Sequence, residues 1–187
     1  MTYHRKNMIN NLNQIFVPAL RERGFKGSIP HFRRNFDDRI ELLSIMFDKN
    51  GGAFLLEIST VFLNQSFTNL ILKDETELLK INTFSTNYRY RIKRDNKNIW
   101  FYYWDLYKIK NLFLGKPIHI QVNPDRPIEE YFPEKLIEKN RIKKIFSVDQ
   151  YICKELAEEA VTYIDQAEDW WFSFNLNNSQ ICLVTSK

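Results

Sequence analysis

The sequence predicts an α+β fold, with one domain over residues 1–187 building a mainly antiparallel sheet packed by an N-terminal helix and C-terminal helices. Three observations lead there. Apolar residues recur at helical spacing near both ends of the chain. Asn50-Gly51, the favoured pair for a two-residue type I′ turn, separates two runs rich in Ile, Leu, Phe and Val. A chain of 187 residues also suits a single core, since folding at that length removes roughly 70% of the unfolded surface from water.

From Arg5 to Arg23, Met8, Leu12, Ile15, Phe16, Ala19 and Leu20 mark one helical stripe, and Gly24 stands where a left-handed cap ends a helix. Pro18 has no backbone donor, which predicts a kink or break near Phe16 or Val17. Phe32, Arg34 and Phe36 alternate with His31, Arg33 and Asn35 as a short strand, followed by a polar turn at Asp37-Asp38. The next two strands span Arg39 to Asp48 and Ala53 to Leu63. Their turn sets a register that pairs Lys49 with Gly52, Phe47 with Phe54, Ser44 with Glu57 and Ile40 with Val61. Leu43, Ile45, Phe47, Phe54, Leu56, Ile58 and Phe62 then form the core face, while Ser44, Glu57 and Ser59 lie on the other among Ile40, Leu42, Met46, Leu55 and Val61.

Asp74-Glu75-Thr76-Glu77 fits a capping box ahead of Leu78, Leu79 and Ile81, predicting a short helix. Tyr88, Tyr90 and Ile92 alternate with Arg89, Arg91 and Lys93, and the turn formers Asp95 to Asn98 lead to Trp100-Phe101-Tyr102-Tyr103-Trp104, so these two segments are expected to pair as a hairpin. Ile118 to Val122 reads as a further strand, ended by the Pro124 and Pro127 loop. Pro133 opens an expected helix through Leu136, Ile137, Ile142 and Ile145. Ser147-Val148-Asp149-Gln150 caps another, with the stripe Ile152, Leu156, Ala160, Tyr163, Ile164 and Ala167, ending near Asp169. Trp170 to Phe174 and Gln180 to Val184 read as a closing strand pair.

Hydrophobic residues at 44% and charged residues at 27% place the chain in the globular range, and no segment nears the roughly 20 apolar residues of a membrane span. The polar start, Met1 to Asn7, lacks the pattern of a secretion signal, so a soluble, cytoplasmic protein is expected. Cys153 and Cys182 are too few for a disulfide framework and lack zinc-site spacing, leaving buried free thiols as the expectation. The net charge of +4 permits an anionic partner only mildly, because 23 carboxylates offset 27 cations.

An N-terminal helix, Arg23-Gly24-Phe25-Lys26, Phe32-Arg33-Arg34, an Ile-rich hairpin and an Arg/Tyr segment leading to Trp100 occur in that order. The order resembles the bacterial domain of unknown function family numbered 4304, over about Met8 to Trp104. The resemblance implies a small intracellular bacterial α+β domain and brings no activity or catalytic residues with it.

Two places invite a functional reading. Tyr88, Tyr90 and Trp100 beside Arg89, Arg91, Lys93 and Arg94 suit a sheet surface that stacks and neutralises single-stranded nucleic acid. The same alternation also describes an ordinary sheet with one buried side. Glu57 interrupts an apolar strand opposite Ser44, where a covered carboxylate with a raised pKa serves as an acid or base. The structural alternative pairs it with Arg33, Arg34 or Arg89. His4, His31 and His119 are not spaced for a metal, only 5 glycines are present and none forms a phosphate loop, and no nucleophile elbow occurs. No cofactor is expected. Trp170, Trp171 and Phe172 read either as a partner anchor or as core closure. The leading expectation is therefore a non-enzymatic binding module for a protein or peptide, with an immunity or antitoxin role as one version. Nucleic-acid binding is the alternative, and an enzyme centred on Glu57 a further one.

Overall fold

The computed structural model describes residues 3–49, 52–63, 80–86, 88–94, 98–109, 118–122, 126–134, 137, 142–146 and 152–184. Helix α1, Tyr3–Asn11, runs through a π-helical turn, Leu12–Phe16, into α2, Val17–Glu22. Pro18 explains the π turn. It lies in the first turn of α2, where its missing donor costs least, and the Val17 N–H reaches back five residues to Leu12 O. Met8, Leu12, Phe16 and Leu20 are all fully buried at a strict four-residue spacing. An α-helix of 3.6 residues per turn would let that stripe drift, and the wider turn takes up the difference. Gly24, at φ 84°, ends the helix as its position in the sequence predicts.

The main sheet has six strands: β1 Lys26–Ser28, β2 His31–Asn35, β3 Arg39–Phe47, β4 Ala53–Phe62, β5 Arg89–Arg91 and β6 Phe101–Tyr102. It runs antiparallel in the order β1-β2-β3-β4-β5, with β6 also on β4. The register of β3 on β4 is the expected one, pairing Phe47 with Phe54, Ser44 with Glu57 and Ile40 with Val61. Asn50 and Gly51 themselves lie outside the described residues. One face packs Leu43, Ile45, Phe54, Leu56 and Ile58 against Phe16, Leu156 and Trp171 of the helices. The opposite face also has a core of its own, Ile40, Leu42 and Val61 with Ile81.

A second sheet contains β7 Asp105–Ile109, β8 Ile118–Val122 and β9 Ile142–Phe146 in the order β8-β7-β9. Helices α3, Ile152–Thr162, and α4, Ile164–Val184, close the chain. The buried residues Leu156, Ala160, Ile164 and Ala167 form the expected stripe. None of the described helices is long and apolar enough to cross a membrane.

Four expectations are corrected. The segments at Tyr88 and Trp100 do not form a hairpin with each other. Both β5 and β6 run antiparallel to β4 and lie along its same edge, at Glu57 to Ser59 and at Ala53 to Phe54. Ten-residue β4 offers more edge than three-residue β5 covers, and β6 takes the remainder, stacking Phe101 on Phe54 at 4.7 Å. Ile142 and Ile145 belong to β9 and not to a helix from Pro133, because β7 supplies a pairing edge that a sequence pattern cannot reveal. Helix α4 does not stop near Asp169 but continues to Val184, so the two expected closing strands are helical. Trp171 lies four residues after Ala167 and extends the same buried stripe, which overrides the turn-forming Asn175 to Ser179. Finally, Phe36 falls outside β2 and is exposed. The capping boxes at Asp74 and Ser147 lie outside the described residues, while Ile81 is buried but not helical.

Candidate functional site

Strand register assembles one polar row across five strands on the face away from the helices: Ser28, His31, Ser44, Glu57 and Arg91. Glu57 is 1% exposed and not partly open to a groove. Its cations are Arg91 Nε at 3.1 Å and Arg89 Nη1 at 3.9 Å, so of the three arginines named from sequence only Arg89 reaches it. Arg33 instead donates to Ile81 O at 2.8 Å, and Arg34 turns to the helix face. Ser44 accepts a hydrogen bond from Thr83 Oγ1 and shares one with His31 Nδ1, each 2.9 Å long. Burial lowers the His31 pKa below its ordinary value. Ser44, Thr83 and Glu57 are all sealed from water, so the middle of this row ties β3 and β4 together without offering a reactant access to Glu57.

The basic and aromatic residues of β5 separate onto opposite faces. Arg89 and Arg91 stand exposed on the Glu57 side. On the other, Tyr90 stacks on Trp170 at 5.9 Å, Trp170 on Phe174 at 4.8 Å, and Tyr88 leans on Phe174 at 5.3 Å. These rings therefore dock β5 onto α4. Lys93 is exposed, with its backbone N–H on Gln166 Oε1, and half-buried Trp100 donates its backbone N–H to Asn98 Oδ1. Arg94 pairs with Glu159 through two bonds of 2.6 and 2.8 Å. Helix α4 divides the Trp170 to Phe172 run by its rotation. Trp171 is buried against Phe25 and donates Nε1–H to Ser59 O at 2.9 Å, whereas Phe172 is 68% exposed.

Phe172 rims a cleft of about 410 Å³ between β2, β3 and α4. At its floor Arg34 donates to Glu41 Oε2 through Nε (3.0 Å) and Nη2 (2.5 Å), and to Glu168 through Nη1 (2.9 Å) and Nη2 (2.7 Å). Its guanidinium also lies over Phe25, Phe36 and Trp171. Glu41, 1% exposed, accepts further bonds from Arg39 Nε at 3.0 Å and Asn175 Nδ2 at 3.2 Å. Burial works against the Arg34 charge, but its bonds to Glu168 and Glu41 outweigh that and leave its pKa raised. Arg39 stacks on Phe36 with its guanidinium 4.1 Å from the ring centre. Two arginines and three aromatic rings thus converge on one concave surface.

Sequence reasoning found Glu57 with Ser44 and named Phe172 in one of two readings as a partner anchor, but missed His31, Glu41 and the place of Phe172 on the rim of a cleft. The signal for the first two was present. Asp37-Asp38 is the centre of a two-residue turn, with the Phe36 N–H on Arg39 O at 2.8 Å. Extending that register would have set Arg34 opposite Glu41 and His31 opposite Ser44. Phe172 required the true extent of α4. Cys153 is a buried free thiol, as expected, and burial pushes its pKa up to about 11. Among the described residues no group of His, Cys, Asp or Glu could hold a metal.

A family model described as Domain of unknown function (DUF4304) matches residues 16–113, more than half of the chain. No curated protein and no solved structure gives a significant match.

Proposed function

The chain belongs to the DUF4304 family, and from that premise we propose that it is a non-enzymatic module that binds a protein or peptide in the cleft between β2, β3 and α4. The observation that supports this reading is Phe172, a large apolar side chain 68% exposed on the rim of a surface containing Arg34, Phe36, Arg39 and Trp171. Aromatic residues and arginine are the side chains that dominate binding hot spots, the rings because they bury much area with few rotors to freeze and arginine because one planar group offers several donors and stacks on rings. The salt-bridged floor holds Arg34 in place before a partner arrives, which lowers the ordering cost of association. A net charge of +4 suits a basic nuclease poorly as a target.

The test is affinity capture from an extract of the native host, comparing the unmodified chain with Phe172→Asp. The exposed position makes the substitution tolerable to the fold, so a partner identified by mass spectrometry should be retained by the first and lost by the second. Equal recovery from both, or no specific partner from either, would exclude the cleft as the binding surface.

A further inference from the structure

A second cleft, of about 380 Å³, lies on the other side of the sheet between hairpin β1–β2 and residues 80–82. We infer that it binds the phosphate group of a small phosphorylated molecule. Register places Lys26 beside Arg33 and Ser28 beside His31, and Lys80 and Asn82 complete the wall. Every one of these six side chains can donate a hydrogen bond to a phosphate oxygen, and three are cationic at neutral pH. Among the described residues lining the cleft there is no carboxylate. Its two lysines are exposed, whereas the arginines of the Arg34 cleft are already paired with carboxylates.

Two of the donors are set in place from behind. Arg33 Nη2 is tied to Ile81 O at 2.8 Å, and His31 Nδ1 to Ser44 Oγ at 2.9 Å, so the imidazole keeps its second nitrogen for a ligand. Gly27 allows the hairpin to close this tightly. At φ 112° it adopts a conformation that side chains resist, and a Cβ there would lie 2.4 Å from His31 O. The volume is that of a site for a small molecule. Donors fixed on strands and backed by second partners are preorganised for an anion rather than spread over a flexible surface.

Isothermal titration calorimetry at low ionic strength tests the site, with ADP as the probe and inorganic phosphate as competitor. ADP should bind at one site, be displaced by phosphate, and bind at least about tenfold more weakly to the K26Q/K80Q variant, since each lost charge-assisted bond is of that order. Both lysines are exposed, and the single substitutions K26Q and K80Q provide the same comparison should the pair unfold. The variant K143Q/K154Q, which removes the same charge from exposed positions elsewhere, should bind as the unmodified chain does. Absence of saturable binding, equal weakening in the two double variants, or ADP binding that phosphate does not displace would overturn the inference. So would a single-stranded oligonucleotide that binds more tightly than ADP and is indifferent to K26Q/K80Q.

Discussion

Replacing Arg34 with alanine tests how the fold holds the cleft in shape. The Arg34 side chain is 17% exposed, Glu41 2% and Glu168 34%. Removing one partner of a buried ion pair costs about 3–5 kcal/mol, because the other charge stays buried and uncompensated. Here Glu41 keeps Arg39 at 3.0 Å and Asn175 at 3.2 Å, and Glu168 can turn to water, which places the cost near the lower end, about 3 kcal/mol. For a chain of this size that corresponds to a fall in Tm of about 6–12 °C. Arg34→Lys keeps a point charge but cannot serve both carboxylates, and should cost about 1–2 kcal/mol. Glu168→Gln removes the more exposed member and should cost less than about 1 kcal/mol. Equilibrium unfolding in urea, followed by tryptophan fluorescence, measures all three, provided that m is unchanged. An Arg34→Ala protein within about 0.5 kcal/mol of the unmodified chain would refute this account of the cluster. So would a Glu168→Gln cost equal to that of Arg34→Ala.

Three further outcomes follow from the same geometry. Arg91→Ala, which leaves the sealed Glu57 carboxylate with only Arg89 at 3.9 Å, should cost more (about 2 kcal/mol) than Glu57→Gln (about 1 kcal/mol), whose orphaned arginines reach water; urea midpoints decide the order. Gly27→Ala should lose about 2 kcal/mol or more through its 2.4 Å approach to His31 O and its positive φ, whereas a neutral result by thermal melting would mean that β1 shifts freely on β2. Raised pKa values of about 11 for Cys153 and about 12 for Tyr103, both caused chiefly by burial, favour the protonated forms in the folded state. Their contribution is complete below the unfolded values and is lost as pH rises through about 9 to 12, so stability should decline there. In a Cys182→Ser background, Cys153 should also react with iodoacetamide near pH 8 far more slowly in the folded than in the urea-unfolded chain.

Local chemistry made part of this molecule legible from its sequence. The β3–β4 register followed from alternation and Asn50-Gly51, which in turn placed Ser44 beside Glu57 on the correct face. The stripe from Ile152 to Ala167 was legible because it repeats over several turns. What failed depended on partners distant in sequence. Strand β9 exists because β7 offers it an edge, β5 and β6 share an edge that a local pattern assigns to a hairpin, and α4 persists past Asp169 because Trp171 finds Phe25 and Ser59. The same limit hid the Arg34 cleft. Its β2–β3 half was implicit in the Asp37-Asp38 turn, but Glu168 and Phe172 reach it only through tertiary packing of α4.

Photo-crosslinking in the native host tests the central claim most directly. A photo-reactive amino acid placed at position 172, on the rim of the cleft, should yield a discrete adduct with one protein, while the same residue at position 154, exposed on α3, should not. No adduct at position 172, or the same adducts from both positions, would contradict the assignment of this cleft as the partner-binding surface.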